Sequence, residues 1–172
     1  LDLWPENLYS VLPVKNRFLR RAARAVSDWH YRRADKLIAM SPSLKERLVQ
    51  RAKKPEAAVA VIPQHCEDFY AAPLPDPALA ARYAGRFNLV FTGNFSPAQS
   101  LPTVIRAAVT ARAAGAERLQ LVLVGDGMSR GELEALVREL GAEGTVSFAG
   151  SVPPADIPRY TSFAAGLVAS LS

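Results

Sequence analysis

The sequence predicts an α/β protein built on a doubly wound parallel sheet, and three observations carry that prediction. Short apolar runs alternate with helix-like amphipathic segments, and the connections between them are short. The runs that end at Thr92, Val124 and Phe148 are each followed by a glycine loop, as strands opening on one parallel edge would be. The stretch Ala71-Ala72-Pro73-Leu74-Pro75-Asp76-Pro77 puts three prolines in five residues, which rules out a helix interior or a central strand. A domain boundary is therefore placed between Pro63 and Pro77.

The elements before the boundary follow in order. Asn16 to Arg33 reads as a helix, with Phe18, Ala22, Ala25, Val26 and Trp29 on one stripe and Arg17, Arg20, Arg21 and Arg24 around it. Ala34 to Met40 reads as a strand. Ser41 then suits an N-cap and Pro42 the first helical position, opening a helix to about Ala52. Lys53-Lys54-Pro55 closes that helix, because proline disfavours a helical residue before it. Val59 to Ile62 reads as a strand closed by Pro63.

After the boundary the alternation is regular. Asn88–Thr92, Leu119–Val124, Thr145–Phe148 and Gly166–Leu171 read as strands. Ser100–Ala114, Ser129–Leu140 and a short segment within Pro154–Ala164 read as helices, with Gly141 as a C-terminal cap. Leu-Gln-Leu-Val-Leu-Val at 119–124 is apolar enough for a strand buried on both faces.

Composition narrows the function classes. The 172 residues are 49% hydrophobic and 22% charged, as in a globular protein. One cysteine, Cys66, excludes an internal disulfide and argues against a thiolate metal site. No apolar run is long enough to span a bilayer. The chain opens on Leu1 and stops inside an apolar run, so it reads as a piece of a larger protein. A cytoplasmic location is the default expectation. Residues 1–54 hold 13 of the 21 Lys+Arg but only 5 of the 16 Asp+Glu, a surplus of eight positive charges; the remainder carries a deficit of three. That asymmetry suits an anionic partner, such as a membrane face, a lipid pyrophosphate or nucleic acid, or else a plain solvated face.

Candidate chemistry sits in the loops Gly93-Asn94-Phe95-Ser96-Pro97-Ala98-Gln99, Gly125-Asp126-Gly127 and Gly150-Ser151-Val152-Pro153-Pro154. Glycine lets backbone N–H groups approach a phosphate, and a following helix adds its positive end. Glycine also serves plain turns. No G-x-G-x-x-G follows a strand, and no Walker loop, zinc spacing or Ser-His-Asp set is present. His30 reads as filler beside Trp29; His65 and Cys66 lie where a cleft-facing role is open.

These residues resemble a known family. Leu89-Val90-Phe91-Thr92-Gly93-Asn94, Gln99-Ser100-Leu101, Leu121 to Gly127 and Phe148 to Pro153 resemble the second domain of glycosyltransferase family 4. Asp2-Leu3-Trp4-Pro5-Glu6, Tyr31 to Asp35 and Ile62-Pro63-Gln64 extend the likeness across the boundary. The branch it is most similar to comprises bacterial enzymes acting on lipid-linked cell-surface polysaccharide precursors.

The resemblance implies a GT-B architecture of two Rossmann-like domains. Residues 1–63 would be the end of the acceptor-side domain, 64–79 the hinge, and 80–172 the first half of the nucleotide-sugar domain. It implies a donor nucleotide-sugar, a UDP-sugar, held by Gly93, Asn94, Gln99, Gly125, Asp126, Gly127, Ser151 and Val152. Asp2, Trp4 and Glu6 would lie by the acceptor. It implies a lipid-linked acceptor, peripheral association with the inner membrane face, no metal, no cofactor and no nucleic-acid partner. The catalytic residues are not assigned, and the piece alone would be inactive. Many members carry Arg and Lys where Asn94 and Gln99 stand, and an acidic residue where Ala165 stands. The rival reading is a non-catalytic module whose basic face binds membrane or polyanion.

Overall fold

The computed structural model describes residues 3–6, 9 and 14–170. The chain divides into two compact units, Leu1–Cys66 and Glu67–Ser172. Each is considered by itself.

In the first unit, helix α1 spans Arg17–Arg33 and is capped by the Asn16 side chain, which accepts from the Phe18 and Leu19 N–H groups. Strand β1 is Leu37–Ala39, shorter than the run Ala34–Met40. Helix α2 is Pro42–Ala52 and starts as its sequence requires, with Ser41 Oγ accepting from Leu44 N at 3.2 Å. Strand β2, Val59–Val61, pairs parallel with β1 in the register Leu37 to Val59. Ala39, Leu48 and Val59 form the buried apolar centre.

α1 does not bury its apolar stripe. Phe18 is 85% exposed, and Val26 and Trp29 are each 53% exposed. Ser27 is instead its buried residue. The reason is a polar clasp on the segment at Trp4. Ser27 Oγ donates to the Trp4 carbonyl at 2.5 Å, and the Tyr31 hydroxyl bonds both the Trp4 N–H and its carbonyl. Arg51 donates to the same carbonyl at 3.1 Å, to Glu6 at 2.7 Å and to Asp28 through two nitrogens at 2.8 and 2.6 Å. Burial works against the Arg51 charge, but the bonds and charges of Asp28 and Glu6 outweigh it and hold its pKa above the ordinary value. Periodicity identifies an apolar face; it does not see hydrogen bonds made to a distant backbone segment.

In the second unit, helix α3 (Pro77–Arg82), strand β3 (Phe87–Thr92), helix α4 (Leu101–Ala113), strand β4 (Leu119–Val124), helix α5 (Arg130–Glu139), strand β5 (Val146–Gly150), helix α6 (Ile157–Thr161) and strand β6 (Gly166–Leu167) follow in order. The strands form one parallel sheet in the order β5-β4-β3-β6. Leu121, Val122, Leu123 and Val124 are all fully buried. Because side chains alternate along a strand, Leu121 and Leu123 join Phe91, Ile105 and Leu133 on one face, while Val122 and Val124 join Val90 and Tyr83 on the other. This is the double burial that the apolar run at 119–124 predicts.

Helix α3 begins inside 64–79, the stretch expected to be linker. Its cap, Asp76, accepts from Leu79 N at 3.0 Å and precedes Pro77, the same device as Ser41-Pro42. That N–H, ahead of the charge of Arg159, holds the Asp76 carboxyl below the usual range. Helix α6 is the short helix expected within Pro154–Ala164, preceded by a separate 3-10 turn, Pro154–Asp156. Gly141, in the left-handed region at φ 59°, ends α5: Gly141 N donates to Arg138 O and Ala142 N to Val137 O. Among the described residues no helix is long and apolar enough to cross a membrane.

Candidate functional site

The adjacency of β3, β4 and β5 brings their loops to one edge of the sheet. Thr92 pairs with Val124, and a register shift in β5 brings Gly150 opposite Val124. There the loops surround a cavity of about 320 Å³. That is the lower end of ligand-pocket sizes, roughly 300–1,000 Å³. Thr92, Gly93 and Asn94 line it from the first loop, Val124, Gly125 and Asp126 from the second, and Ser151, Val152, Pro154 and Ile157 from the third. Tyr70, from the turn Asp68–Tyr70, completes the lining.

Six of the residues singled out from sequence thus meet here: Gly93, Asn94, Gly125, Asp126, Ser151 and Val152. Gln99 and Gly127 do not line the cavity. Gln99 is half-buried in a 3-10 turn, Pro97–Gln99, that precedes α4; Ser100 sits in the left-handed region and makes no side-chain cap. Trp4 and Glu6 belong to the other unit and are engaged in the clasp on Arg51. Asp2 lies outside the described residues. Pro154 comes from the third candidate loop, whereas Tyr70, Thr92, Val124 and Ile157 carry no site assignment from sequence. For Tyr70 the available signal was an aromatic pair, Phe69-Tyr70, inside an otherwise proline-rich connection.

The glycines do something other than expose their amides to a phosphate. Gly93 N donates to Val124 O at 3.0 Å, Gly125 N to Gly150 O at 2.8 Å, and Gly127 N to the Asp126 carboxylate at 2.8 Å. Phe95 N donates to Asp126 O, and Ser129 N to Phe95 O, stitching the first two loops together. A Cβ on Gly125 would overlap the Gly93 carbonyl oxygen, and one on Gly127 would lie 2.6 Å from Phe95 O. Beneath them Phe95 is fully buried against Phe91 and Phe148. The glycines permit loop-on-loop packing, and the cavity edge is rigid as a result.

Among the described residues, Asp126 is the one charged residue in the lining. Its second oxygen receives Arg130 at 3.2 Å, and Arg130 also binds Glu134 at 2.8 Å. The Glu134 hydrogen bond, ahead of the Asp126 charge, holds the Arg130 guanidinium above its ordinary pKa. Among the described residues no group of three or more His, Cys, Asp or Glu is arranged to hold a metal ion.

Residues 80–171, just over half of the chain, match the family described as glycosyl transferases group 1. The chain belongs to the group 1 glycosyl transferases. No curated protein matches it. Among solved structures, it resembles HepE of Anabaena crystallised with UDP-glucose, at 21% identity and a TM-score of 0.68, over 88% of this chain and 42% of that one. It also resembles WaaG, a glycosyltransferase involved in lipopolysaccharide biosynthesis, at 16% identity and a TM-score of 0.72, over 99% and 48% respectively. The pneumococcal O-GlcNAc transferase GtfA, in complex with UDP and GlcNAc, matches at 17% identity and 0.64, over 87% and 28%. The chain spans less than half the length of these proteins. What the likeness shows is the fold: α/β with parallel sheets, as in GT-B glycosyltransferases. In this group 1 glycosyl transferase the cavity falls inside the matched segment, apart from Tyr70.

Proposed function

We propose that the chain is part of a family 4 glycosyltransferase that moves a sugar from a UDP-sugar to a lipid-linked or polysaccharide-precursor acceptor of the bacterial cell envelope. The observation that carries the donor half of this reading is the cavity at the carboxyl edge of β3, β4 and β5, where ligands bind in open parallel sheets. HepE and GtfA, which share the fold, were crystallised with UDP-glucose and with UDP and GlcNAc. The involvement of WaaG in lipopolysaccharide biosynthesis supports the envelope half.

The lining suggests a division of labour. The polar loop Thr92-Gly93-Asn94 suits the diphosphate, and Val152, Pro154 and Ile157 suit the nucleoside. Among the described residues no Lys or Arg lines the cavity, so the leaving diphosphate is stabilised by hydrogen bonds and dipoles rather than by a cation within this unit. In this reading the reaction uses no metal and no cofactor. Titrating the isotope-labelled chain with UDP tests the donor site by NMR. Shifts are expected at residues 93–94, 125–126 and 151–152, with a Kd on the order of 1 mM, near −4 kcal/mol. Shifts confined to residues 1–54, or none, would remove the donor-site assignment.

The acceptor half places α1 on the inner membrane face. Phe18, Leu19, Val26 and Trp29 are exposed beside Arg17, Arg20, Arg21 and Arg24, the mixture that suits an anionic interface. Sedimentation with anionic liposomes should carry the chain down, and the binding should fade with salt as charges are screened beyond roughly 8 Å. Binding unchanged after all four arginines become glutamine would return this face to plain solvation.

A further inference from the structure

We propose that Tyr70 is the residue that stacks on the nucleoside base and sets how strongly this site holds its donor. The inference rests on the donor-site reading above and assigns a role that reading leaves open. Among the described residues, Tyr70 is the single aromatic one in the cavity lining. It is 42% exposed, so part of its ring is free to be covered by a ligand. The backbone that carries the ring is fixed, and a neighbouring ring lies against it. Tyr70 N donates to Glu67 O at 3.0 Å, closing the turn, and the Phe69 ring backs it with centroids 4.6 Å apart. A restrained, partly exposed ring loses little freedom when a flat partner covers it.

The chemistry of the surroundings selects the partner. Besides the polar Thr92, Asn94, Asp126 and Ser151, Tyr70 shares the cavity with Val152, Pro154 and Ile157, which bring no charge and no side-chain hydrogen-bond donor. Those three apolar side chains offer a diphosphate or a sugar hydroxyl no partner, and the hydroxyl of Tyr70, which could, is the group that Y70F removes. A nucleobase has a planar π-face that gains from an aromatic ring and apolar neighbours, and stacking of this kind tolerates any base. The absence of Lys and Arg from the lining makes the stack count for more. With no ion pair to the diphosphate, a large share of the affinity must come from the base. Uridine should therefore bind nearly as tightly as UDP, within about threefold, which a cation-clamped site would not allow.

NMR titration of the full chain with three probes, uridine, UDP and inorganic pyrophosphate, separates the possibilities. Uridine and UDP should move the Tyr70 ring protons upfield, as a stacked ring current does, and pyrophosphate should leave them unmoved. Y70F should bind UDP like the unaltered chain. Y70L and Y70A should weaken UDP and uridine about tenfold. UDP binding that shifts residues 93–94 and 125–126 but is unchanged in Y70A overturns the role of Tyr70 while the donor site stands. A loss in Y70F equal to that in Y70A overturns stacking as its cause. No UDP shift in the unaltered chain overturns the donor-site reading and this inference with it.

Discussion

The second unit holds its sheet with carbon on both faces, whereas the first ties its chain together with polar groups around one carbonyl. In the second, four consecutive residues of β4 are fully buried, and the two faces are covered by separate apolar clusters. In the first, Ile38 of β1 is 62% exposed and Ile62, just after β2, is 54% exposed. There the buried Ser27 and the half-buried Tyr31 and Arg51 converge on Trp4. The contrast teaches where each unit is sensitive. Close packing punishes added atoms; a polar clasp punishes lost partners.

The sharpest way to break the comparison is to add one carbon to the second unit. Gly125→Ala should destabilise that unit by about 3 kcal/mol or more, because its Cβ would overlap the Gly93 carbonyl oxygen and its φ of 139° is strained for any side chain. Gly144→Ala is the control. Its added Cβ meets only Arg112 Nη1, at 3.8 Å, and its φ lies outside the left-handed region, so the change should stay within about 0.5 kcal/mol. Amide hydrogen exchange in β4 reads both. Equal protection in the two variants would mean that the loop-on-loop contact is soft, and the rigidity assigned to the cavity edge would go with it.

That pair also marks what the sequence could say. Alternation, the apolar run at 119–124 and the glycine loops place β3, β4 and β5 and converge on six of the lining residues, because each signal is local and periodic. The purpose of the glycines was not legible. Whether a glycine admits a phosphate or another loop depends on what lies opposite it, and for Gly125 that is Gly93, 32 positions away. Gln99 stands off the cavity for a related reason: a turn of 3-10 helix and a left-handed Ser100 separate Gly93 and Asn94 from α4. Helix α3 was legible and missed, since Asp76-Pro77 repeats the Ser41-Pro42 signal. The exposed stripe of α1 could not be foreseen, because the bonds that orient the helix go to a segment more than 20 residues away.

The smaller effect tests the polar side of the comparison. The Arg51 side chain is 10% exposed and its partner Asp28 is 20% exposed, so this pair is far drier than the surface ion pairs that contribute about 0–1 kcal/mol. Arg51→Leu keeps much of the volume but leaves the Asp28 carboxylate covered and without its two donors, and frees Glu6 and the Trp4 carbonyl. The expected loss is about 2 kcal/mol, below that of a fully buried pair because Glu6 remains 47% exposed and regains water. Arg51→Lys should recover less than half of it, since one ammonium cannot reach Asp28, Glu6 and Trp4 from the fixed directions of a guanidinium fork. Both tryptophans, Trp4 and Trp29, lie in the first unit, so urea unfolding followed by tryptophan fluorescence reads this unit directly. A midpoint that Arg51→Leu leaves in place would mean that the first unit is held by its small apolar centre at Ala39, Leu48 and Val59, and that the two units differ in amount of packing rather than in kind.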